Sequence, residues 1–276
     1  MKACDIRIRD PFVLPANGRY YLYNGLEVHV SDDLENWSEP TQSFVPPPDF
    51  WSHTDFWAPE VHAYNGRYYM FITSISDTRK RGTQILIADD PMGPFVPHSD
   101  GPVTPAEWMC LDGTLYVDED GTPYMVFCHE WVQVKNGGMC AIQLTPDLKE
   151  PVGEPMLLFK ASELPGVVSV LEEDGHYVTD GPFMYRTAAG KLLMIWSSFG
   201  VDGYLEAIAW SDNNKLTGKW IQSKKLLFSK DGGHGMIFRT YDGRLMFACH
   251  SPNSELDERL KLIEICEDGD LLTVTA

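Results

Sequence analysis

The sequence predicts an all-β protein with the fold of a five-bladed β-propeller, and three observations support this prediction. One hairpin pattern recurs five times along the 276 residues. The 23 glycines and 19 prolines supply the many turns that such a fold needs. No segment of convincing length has the apolar period of a helix. We therefore expect four antiparallel strands per blade and one domain over residues 1–276.

Each repeat consists of an apolar strand, a turn at a glycine and a second apolar or aromatic strand. Asn-Gly and Asp-Gly pairs between apolar runs are the strongest short-range signals of a hairpin. The five turns are Asn17-Gly18, Asn65-Gly66, Asp120-Gly121, Gly190 and Asp242-Gly243.

Further strands complete the blades behind these hairpins. Third strands ending in acidic turns are predicted at 28–33, 85–90 and 207–212. A fourth, short strand is expected near Trp37, Phe95 and Trp220. The first and the fifth repeat both hold a full set of strands, and the last strand lies at 271–275. We therefore expect the ring to close by packing between blades.

The first strand of every blade lines the central channel of a propeller, so residues at equivalent positions converge on one mouth. The repeats place three carboxylates, one indole and one imidazole there: Asp10, Trp57, Asp112, Asp180 and His234. An Asp before Gly or Pro is also a common turn residue. Because the pattern recurs in one register across the blades, we interpret these residues as a functional site at the channel mouth.

Carboxyl groups gathered in this way suit the hydrolysis of a glycosidic bond. An inverting hydrolase uses one carboxylate to deprotonate water and a second carboxyl group, with a raised pKa, to protonate the leaving oxygen. A third carboxylate nearby raises the pKa of the acid through like-charge repulsion.

At these residues the sequence resembles glycoside hydrolase family 43 along the whole chain. The family comprises five-bladed propellers that act as α-L-arabinofuranosidases, β-xylosidases and arabinanases. The matching motifs are Arg9-Asp10-Pro11, the Phe-Trp-Ala-Pro-Glu run at 56–60, Leu111-Asp112-Gly113 and Gly233-His234-Gly235. The resemblance implies that Asp10 is the general base and that Asp112 orients the acid and tunes its pKa. It also implies that the channel near His234 can hold a calcium ion, while the chemistry requires no cofactor.

The fourth blade departs from the family pattern. The family usually carries Glu before Gly-Pro as the general acid, whereas this chain has Asp180, whose side chain is one methylene shorter. We expect Asp180 to be the acid, with Glu130, Glu172 and Glu173 as alternatives. A propeller that binds sugar without cleaving it is a further alternative.

Four residues are expected to bind the sugar, namely Trp57, Glu60, Glu130 and His250. An indole packs well on the apolar face of a sugar ring. The basic run Arg79-Lys80-Arg81 is interpreted as a solvated turn.

The expected function is an inverting, exo-acting glycosidase for α-L-arabinofuranosyl or β-D-xylosyl linkages of plant oligo- or polysaccharides. Two other propeller classes fit less well. Fructan-acting hydrolases begin with Asn-Asp-Pro and carry an appended β-sandwich, whereas this chain has Arg9 before Asp10. Scaffolds of the WD-repeat class carry Trp-Asp pairs, which this sequence lacks.

Charge and composition restrict the partners and the compartment. The net charge of −18 disfavours binding to nucleic acid and to anionic membrane surfaces. The charged residues 1–10 do not resemble a signal peptide, so we expect a cytoplasmic protein, or a periplasmic or secreted one if a leader was removed. Six scattered cysteines agree with buried thiols in a reducing compartment.

Overall fold

The computed structural model describes residues 1–269 and 271–275. Twenty strands in this part of the chain form five four-stranded antiparallel sheets. Within every sheet the strands follow one another in chain order, so each blade is built from one contiguous segment. The predicted all-β, five-bladed propeller with four antiparallel strands per blade is therefore confirmed.

The strands of the five blades have the following bounds. Blade 1 contains β1 Phe12–Ala16, β2 Arg19–Asn24, β3 Glu27–Ser31 and β4 Thr41–Gln42. Blade 2 contains β5 Thr54–Tyr64, β6 Arg67–Ser76, β7 Arg79–Ala88 and β8 Val96–Pro102. Blade 3 contains β9 Cys110–Val117, β10 Pro123–His129, β11 Gly138–Leu144 and β12 Pro151–Lys160. Blade 4 contains β13 Asp180–Arg186, β14 Leu192–Gly200, β15 Gly203–Ser211 and β16 Trp220–Gln222. Blade 5 contains β17 Gly233–Arg239, β18 Leu245–Ser251, β19 Arg259–Asp268 and β20 Leu271–Val274.

Helical segments in the described residues are short. The α-helix α1 covers Trp131–Val134, and single 3₁₀ turns cover Ala3–Asp5 and Ala161–Glu163. No helix in this part of the chain is long and apolar enough to cross a membrane. Trp37, predicted near a fourth strand, instead forms an isolated bridge with Ser31, and β4 follows a few residues later.

The first strands of neighbouring blades contact one another around a closed ring, in the order β1, β5, β9, β13, β17 and back to β1. Each terminal blade supplies all of its own strands, as predicted. The structure adds one backbone link that the sequence did not indicate. The N–H of Leu260 in β19 donates to the carbonyl of Ile6 at 3.2 Å, next to an isolated bridge between Arg7 and Arg259.

The hydrophobic core lies between the blades rather than at one centre. Four clusters of buried side chains each join neighbouring blades, for example blades 3 and 4, where the rings of Phe159 and Trp196 lie 5.1 Å apart. Burial on both faces explains the long apolar runs in the strands, such as residues 192–196 in β14.

The inner strands of blades 2 to 5 share a bulge at the end where they enter the channel, because two residues there oppose one residue on the second strand. The first bulged residue has a positive φ in all four blades, and the residue two positions before β1 has the same conformation in blade 1. The values are 51° for Asp10, 44° for Ala58, 57° for Asp112, 48° for Gly181 and 48° for His234.

This bulge corrects the expected register of the site. Asp10, Asp112 and His234 occupy the positive-φ position itself, whereas Trp57 and Asp180 each lie one residue before it. A bulge turns successive side chains in directions that a regular strand does not allow. Residues from two adjacent positions can therefore face the same channel mouth.

Candidate active site

A cavity of about 520 Å³ lies where the inner strands begin, and all five blades contribute to its wall. Six of the predicted site residues line it, namely Asp10, Trp57, Asp112, Glu130, Asp180 and His234. The fold therefore brings these six residues, which lie far apart along the chain, to one cavity.

Asp10 and His234 form an ion pair at the centre of this wall. The Nδ1 atom of His234 lies 3.0 Å from Oδ1 of Asp10 and 3.8 Å from Oδ2 of Asp112. Burial by itself would lower the pKa of His234, but the charges of Asp10 and Asp112 outweigh it and raise the pKa to about 10. Burial would likewise raise the pKa of Asp10, but the charge and hydrogen bond of His234 hold it well below its usual range. Asp10 is therefore a carboxylate at neutral pH.

Asp112 and Asp180 have the opposite tendency. Burial, together with neighbouring carboxylates, raises the pKa of Asp112 to about 8 and that of Asp180 to about 6. The backbone N–H of Gly181 donates to Oδ2 of Asp112 at 3.1 Å, so Asp112 is fixed against the residue that follows Asp180. A side chain at Gly181 would not fit, since a Cβ there would lie 2.6 Å from the ring of His234.

Tyr204 fixes the side chain of Asp180 by a hydrogen bond. Its hydroxyl donates to Oδ2 of Asp180 at 3.0 Å, and its ring stacks on His250 at 5.6 Å. Tyr204 is buried, and burial raises its pKa well above the usual value, so its hydroxyl keeps the proton. One oxygen of Asp180 is therefore occupied by this hydrogen bond, and Oδ1 is left for a ligand in the cavity.

Arg81 contacts and supports the residues that form the cavity wall between blades 2 and 3. Its guanidinium lies 4.1 Å from the ring centroid of Trp57, and its Nη1 contacts both carboxylate oxygens of Glu130 at 2.6 Å. Only 12% of the Arg81 side chain is exposed, whereas 39% of Trp57 is exposed. The predicted solvated turn is thus wrong for Arg81, which supports an exposed indole and a buried carboxylate.

Glu60 and His250, both expected to bind the sugar, lie away from the cavity wall. Glu60 follows the bulge on β5 and pairs with His62, whose Nε2 lies 3.1 Å from its Oε2. His250 is fully buried, and its Nδ1 accepts the backbone N–H of Asp10 at 3.2 Å. Both side chains therefore make contacts inside the protein and do not line the cavity.

The alternative acids do not approach Asp10 as Asp180 does. Glu173 pairs with Lys135 on the surface at 2.7 Å, and Glu172 is exposed. Glu130 lines the cavity, but Arg81 neutralises it. Asp180 combines a raised pKa with a place on the cavity wall, a combination that it shares with Asp112.

The residues around His234 do not fit a metal ion held by protein ligands. Among residues 1–269 and 271–275, no group of three or more His, Cys, Asp or Glu side chains has the arrangement to hold one. The Nδ1 of His234 faces Asp10 instead. A calcium ion held largely through water, as the family resemblance implies, stays a prediction.

Arg81 and Tyr204 are functional candidates that sequence reasoning missed. Tyr204 stands in a hairpin with no motif to mark it, and a run of three basic residues ordinarily indicates solvent. Arg81 lies within β7, which forms with β6 a hairpin of ten residues per strand, so it belongs to a strand and not to a turn. The length of this hairpin was the one partial signal for Arg81. Its partner Glu130 belongs to another blade.

Comparison with known proteins agrees with the fold. A family model described as glycosyl hydrolases family 43 matches residues 4–268. The crystal structure of an endo-arabinase from Bacteroides thetaiotaomicron VPI-5482 superposes with a TM-score of 0.93 and 43% identity, covering 98% of both chains.

Two curated relatives are more distant. The extracellular endo-alpha-(1->5)-L-arabinanase 1 of Bacillus subtilis (strain 168) is 23% identical over 145 residues, which are 46% of this chain and 45% of that protein. A xylosidase/arabinosidase of Bacteroides ovatus is 24% identical over 179 residues, which are 60% of this chain and 54% of that protein. The matches thus span about half the length of these relatives. The family model nevertheless covers nearly the whole propeller, including every blade that contributes to the cavity, and the chain therefore belongs to glycosyl hydrolases family 43.

Proposed function

We propose that the protein is an inverting glycosidase that hydrolyses α-L-arabinofuranosyl linkages of plant oligo- or polysaccharides. The observation that carries the proposal is a pair of carboxyl groups on one cavity wall whose pKa values are driven apart: that of Asp10 below its usual range and that of Asp180 to about 6. Such a pair provides a base and an acid near neutral pH.

In the proposed reaction Asp10 accepts a proton from water while the water oxygen bonds to the anomeric carbon. The bond to the leaving oxygen breaks at the same time, and Asp180 protonates that oxygen through Oδ1. Asp112 holds the backbone next to Asp180 through the N–H of Gly181, which supports its role in orienting the acid. These groups balance the protons of hydrolysis, so the proposed steps require no cofactor.

Trp57 is proposed to carry the sugar ring on its exposed face, with Arg81 beneath it. The arabinose preference is supported by the 43% identical neighbour that is named an endo-arabinase. β-D-Xylosyl linkages are the second candidate, because the B. ovatus relative is named a xylosidase/arabinosidase.

The position of attack and the compartment are separate proposals. Attack at chain ends is the expectation from the sequence. The B. thetaiotaomicron structure is named an endo-arabinase, which supports internal attack. The cytoplasmic location stays a prediction; the name of the B. subtilis relative places that protein outside the cell.

The proposal is tested with nitrophenyl glycosides, debranched arabinan and xylan, using the wild-type protein and Asp10→Ala. We expect turnover of the arabinose substrates and a rate loss of about 10² to 10⁴ in Asp10→Ala, which is the usual contribution of a general base. Proton NMR of the first product gives the anomeric configuration, and the lengths of early products separate chain-end from internal attack. Full activity of Asp10→Ala, or retention of configuration, would overturn the proposal.

A further inference from the structure

Asp10, Asp112 and His234 share a second feature beside the positive φ. The backbone N–H of each donates to a side chain that reaches over from the preceding blade. Asp112 donates to Oγ1 of Thr73 at 2.9 Å, His234 donates to Oγ of Ser197 at 2.6 Å, and Asp10 donates to Nδ1 of His250 at 3.2 Å.

The three acceptors occupy one equivalent position. Each stands on the second strand of its blade, directly opposite the residue that precedes the bulge: Thr73 pairs with Trp57, Ser197 with Asp180 and His250 with Gly233. All three acceptors are buried, with Thr73 and Ser197 fully enclosed. A bulge takes a backbone N–H out of the ladder, and a buried N–H needs another acceptor. The neighbouring blade supplies it.

In two of these contacts between blades, the third strand of the preceding blade provides a second hydrogen-bond acceptor. Where a glycine follows the bulged residue, its N–H also finds an acceptor: Gly113 donates to Oγ1 of Thr83 at 3.2 Å and Gly235 donates to Oε2 of Glu206 at 3.1 Å. Thr83 and Glu206 stand opposite Thr73 and Ser197 on their sheets. Where a proline follows the bulged residue, there is no N–H to donate. The residue at the equivalent position on the third strand of the preceding blade is then apolar: Leu260 for Pro11 and Met139 for Pro182.

We propose that Thr73, Ser197 and His250 are positioning residues for the hydrolysis, which set the spacing of Asp10, Asp112 and His234 by fixing their backbone from the preceding blade. The proposal rests on the proposed function for its kinetic readout. A positive φ is an uncommon conformation for residues other than glycine and persists only where the surroundings hold it. Loss of an acceptor lets the bulge relax, and a displacement of about 1 Å at a reacting group costs about a hundredfold in rate.

His250 can accept from Asp10 only as the neutral imidazole with its proton on Nε2. One contact and the burial of the ring favour that form, because Nε2 lies 3.0 Å from Oδ1 of Asn253 and burial lowers the pKa of His250. Its role is therefore one of backbone support and not of proton transfer.

The test compares Thr73→Val, which keeps the shape and removes the acceptor, with Thr73→Ser, which retains it. Ser197→Ala examines the second junction and keeps the proposal testable if Thr73→Val does not fold. The matched control is Thr187→Val, since the buried Thr187 accepts the N–H of Lys191 at 3.0 Å in the turn between β13 and β14, at the opposite end of β13 from Asp180. The readouts are kcat and KM on the best substrate at 25 °C, and the titration of the His234 imidazole followed by NMR.

We expect kcat to fall about 10- to 100-fold in Thr73→Val and Ser197→Ala, with KM within about twofold, while Thr73→Ser and Thr187→Val stay within about twofold of the wild type. The pKa of His234 should fall in the two damaging variants, because its carboxylate partners move away. Folded Thr73→Val and Ser197→Ala with wild-type kcat and an unchanged His234 titration overturn the proposal, even if their thermal stability is lower. An inactive wild type refutes the proposed function alone, and the titration then still decides the positioning role.

Discussion

Replacing Asp180 by Asn tests whether this residue delivers the proton to the leaving oxygen. Burial raises the pKa of Asp180 to about 6. About 90% of the molecules then carry this proton at pH 5 and about 10% at pH 7. The kcat/KM of the wild-type protein on an arabino-oligosaccharide should therefore fall about tenfold from pH 5 to pH 7. The same quantity on a nitrophenyl glycoside should stay nearly flat, because nitrophenolate leaves with little protonation.

The Asp180→Asn variant keeps an acceptor for Tyr204 and a similar volume, but it has no acidic proton. We expect its kcat/KM to drop by about 10² to 10⁴ on the oligosaccharide, to change far less on the nitrophenyl glycoside, and to lose the decline between pH 5 and pH 7. Stopped assays with quantified reducing ends measure both substrates. Wild-type activity of the variant on the oligosaccharide, or a retained tenfold decline, would refute the reasoning. Asp112 would then be the first alternative donor, because burial raises its pKa to about 8.

Three further predictions concern the groups around the acid and base. His234→Gln removes the positive charge that lowers the pKa of Asp10, so the acidic limb of the pH–rate profile should move to higher pH; an unmoved limb would contradict the ion pair. Arg81→Met leaves Glu130 without its cation and should lower the unfolding free energy by about 3 kcal/mol in urea, while adding Glu130→Leu should restore most of it. Glu206 has its pKa raised by burial from 4.5 to about 8, so the folded protein binds a proton that the unfolded chain releases, and stability should fall as pH rises through this window. Glu206→Gln should flatten the urea midpoints between pH 5 and pH 8, and an equally steep decline would show that other groups cause it.

The blade pattern and much of the cavity wall could be predicted because they depend on local signals. Turns such as Asn17-Gly18 and Asn65-Gly66 specify hairpins by their own backbone preferences. Once five hairpins are recognised, the topology brings Asp10, Asp112 and Asp180 to one mouth without any knowledge of side-chain contacts.

The remaining features depend on contacts between blades. The bulge that separates the register of Asp112 from that of Asp180 is stabilised by acceptors on other blades, and a single strand does not reveal it. Arg81 is buried because Glu130 and Trp57 meet it across a blade boundary. The side chains of Glu60 and His250 contact His62 and the backbone N–H of Asp10 instead of lining the cavity, and the sequence does not indicate these contacts.

The bulged residue is followed by glycine in blades 3 and 5 and by proline in blades 1 and 4, so these blades are not interchangeable modules. Gly113 and Gly235 require an acceptor on the preceding blade, whereas Pro11 and Pro182 require none. A chimera that moved blade 3 behind a blade without that acceptor would bury an unpaired N–H, at a cost of about 1–3 kcal/mol. The five blades therefore share one outline but differ in their contacts with the preceding blade, and blades 3 and 5 can be exchanged only together with the blade that precedes them.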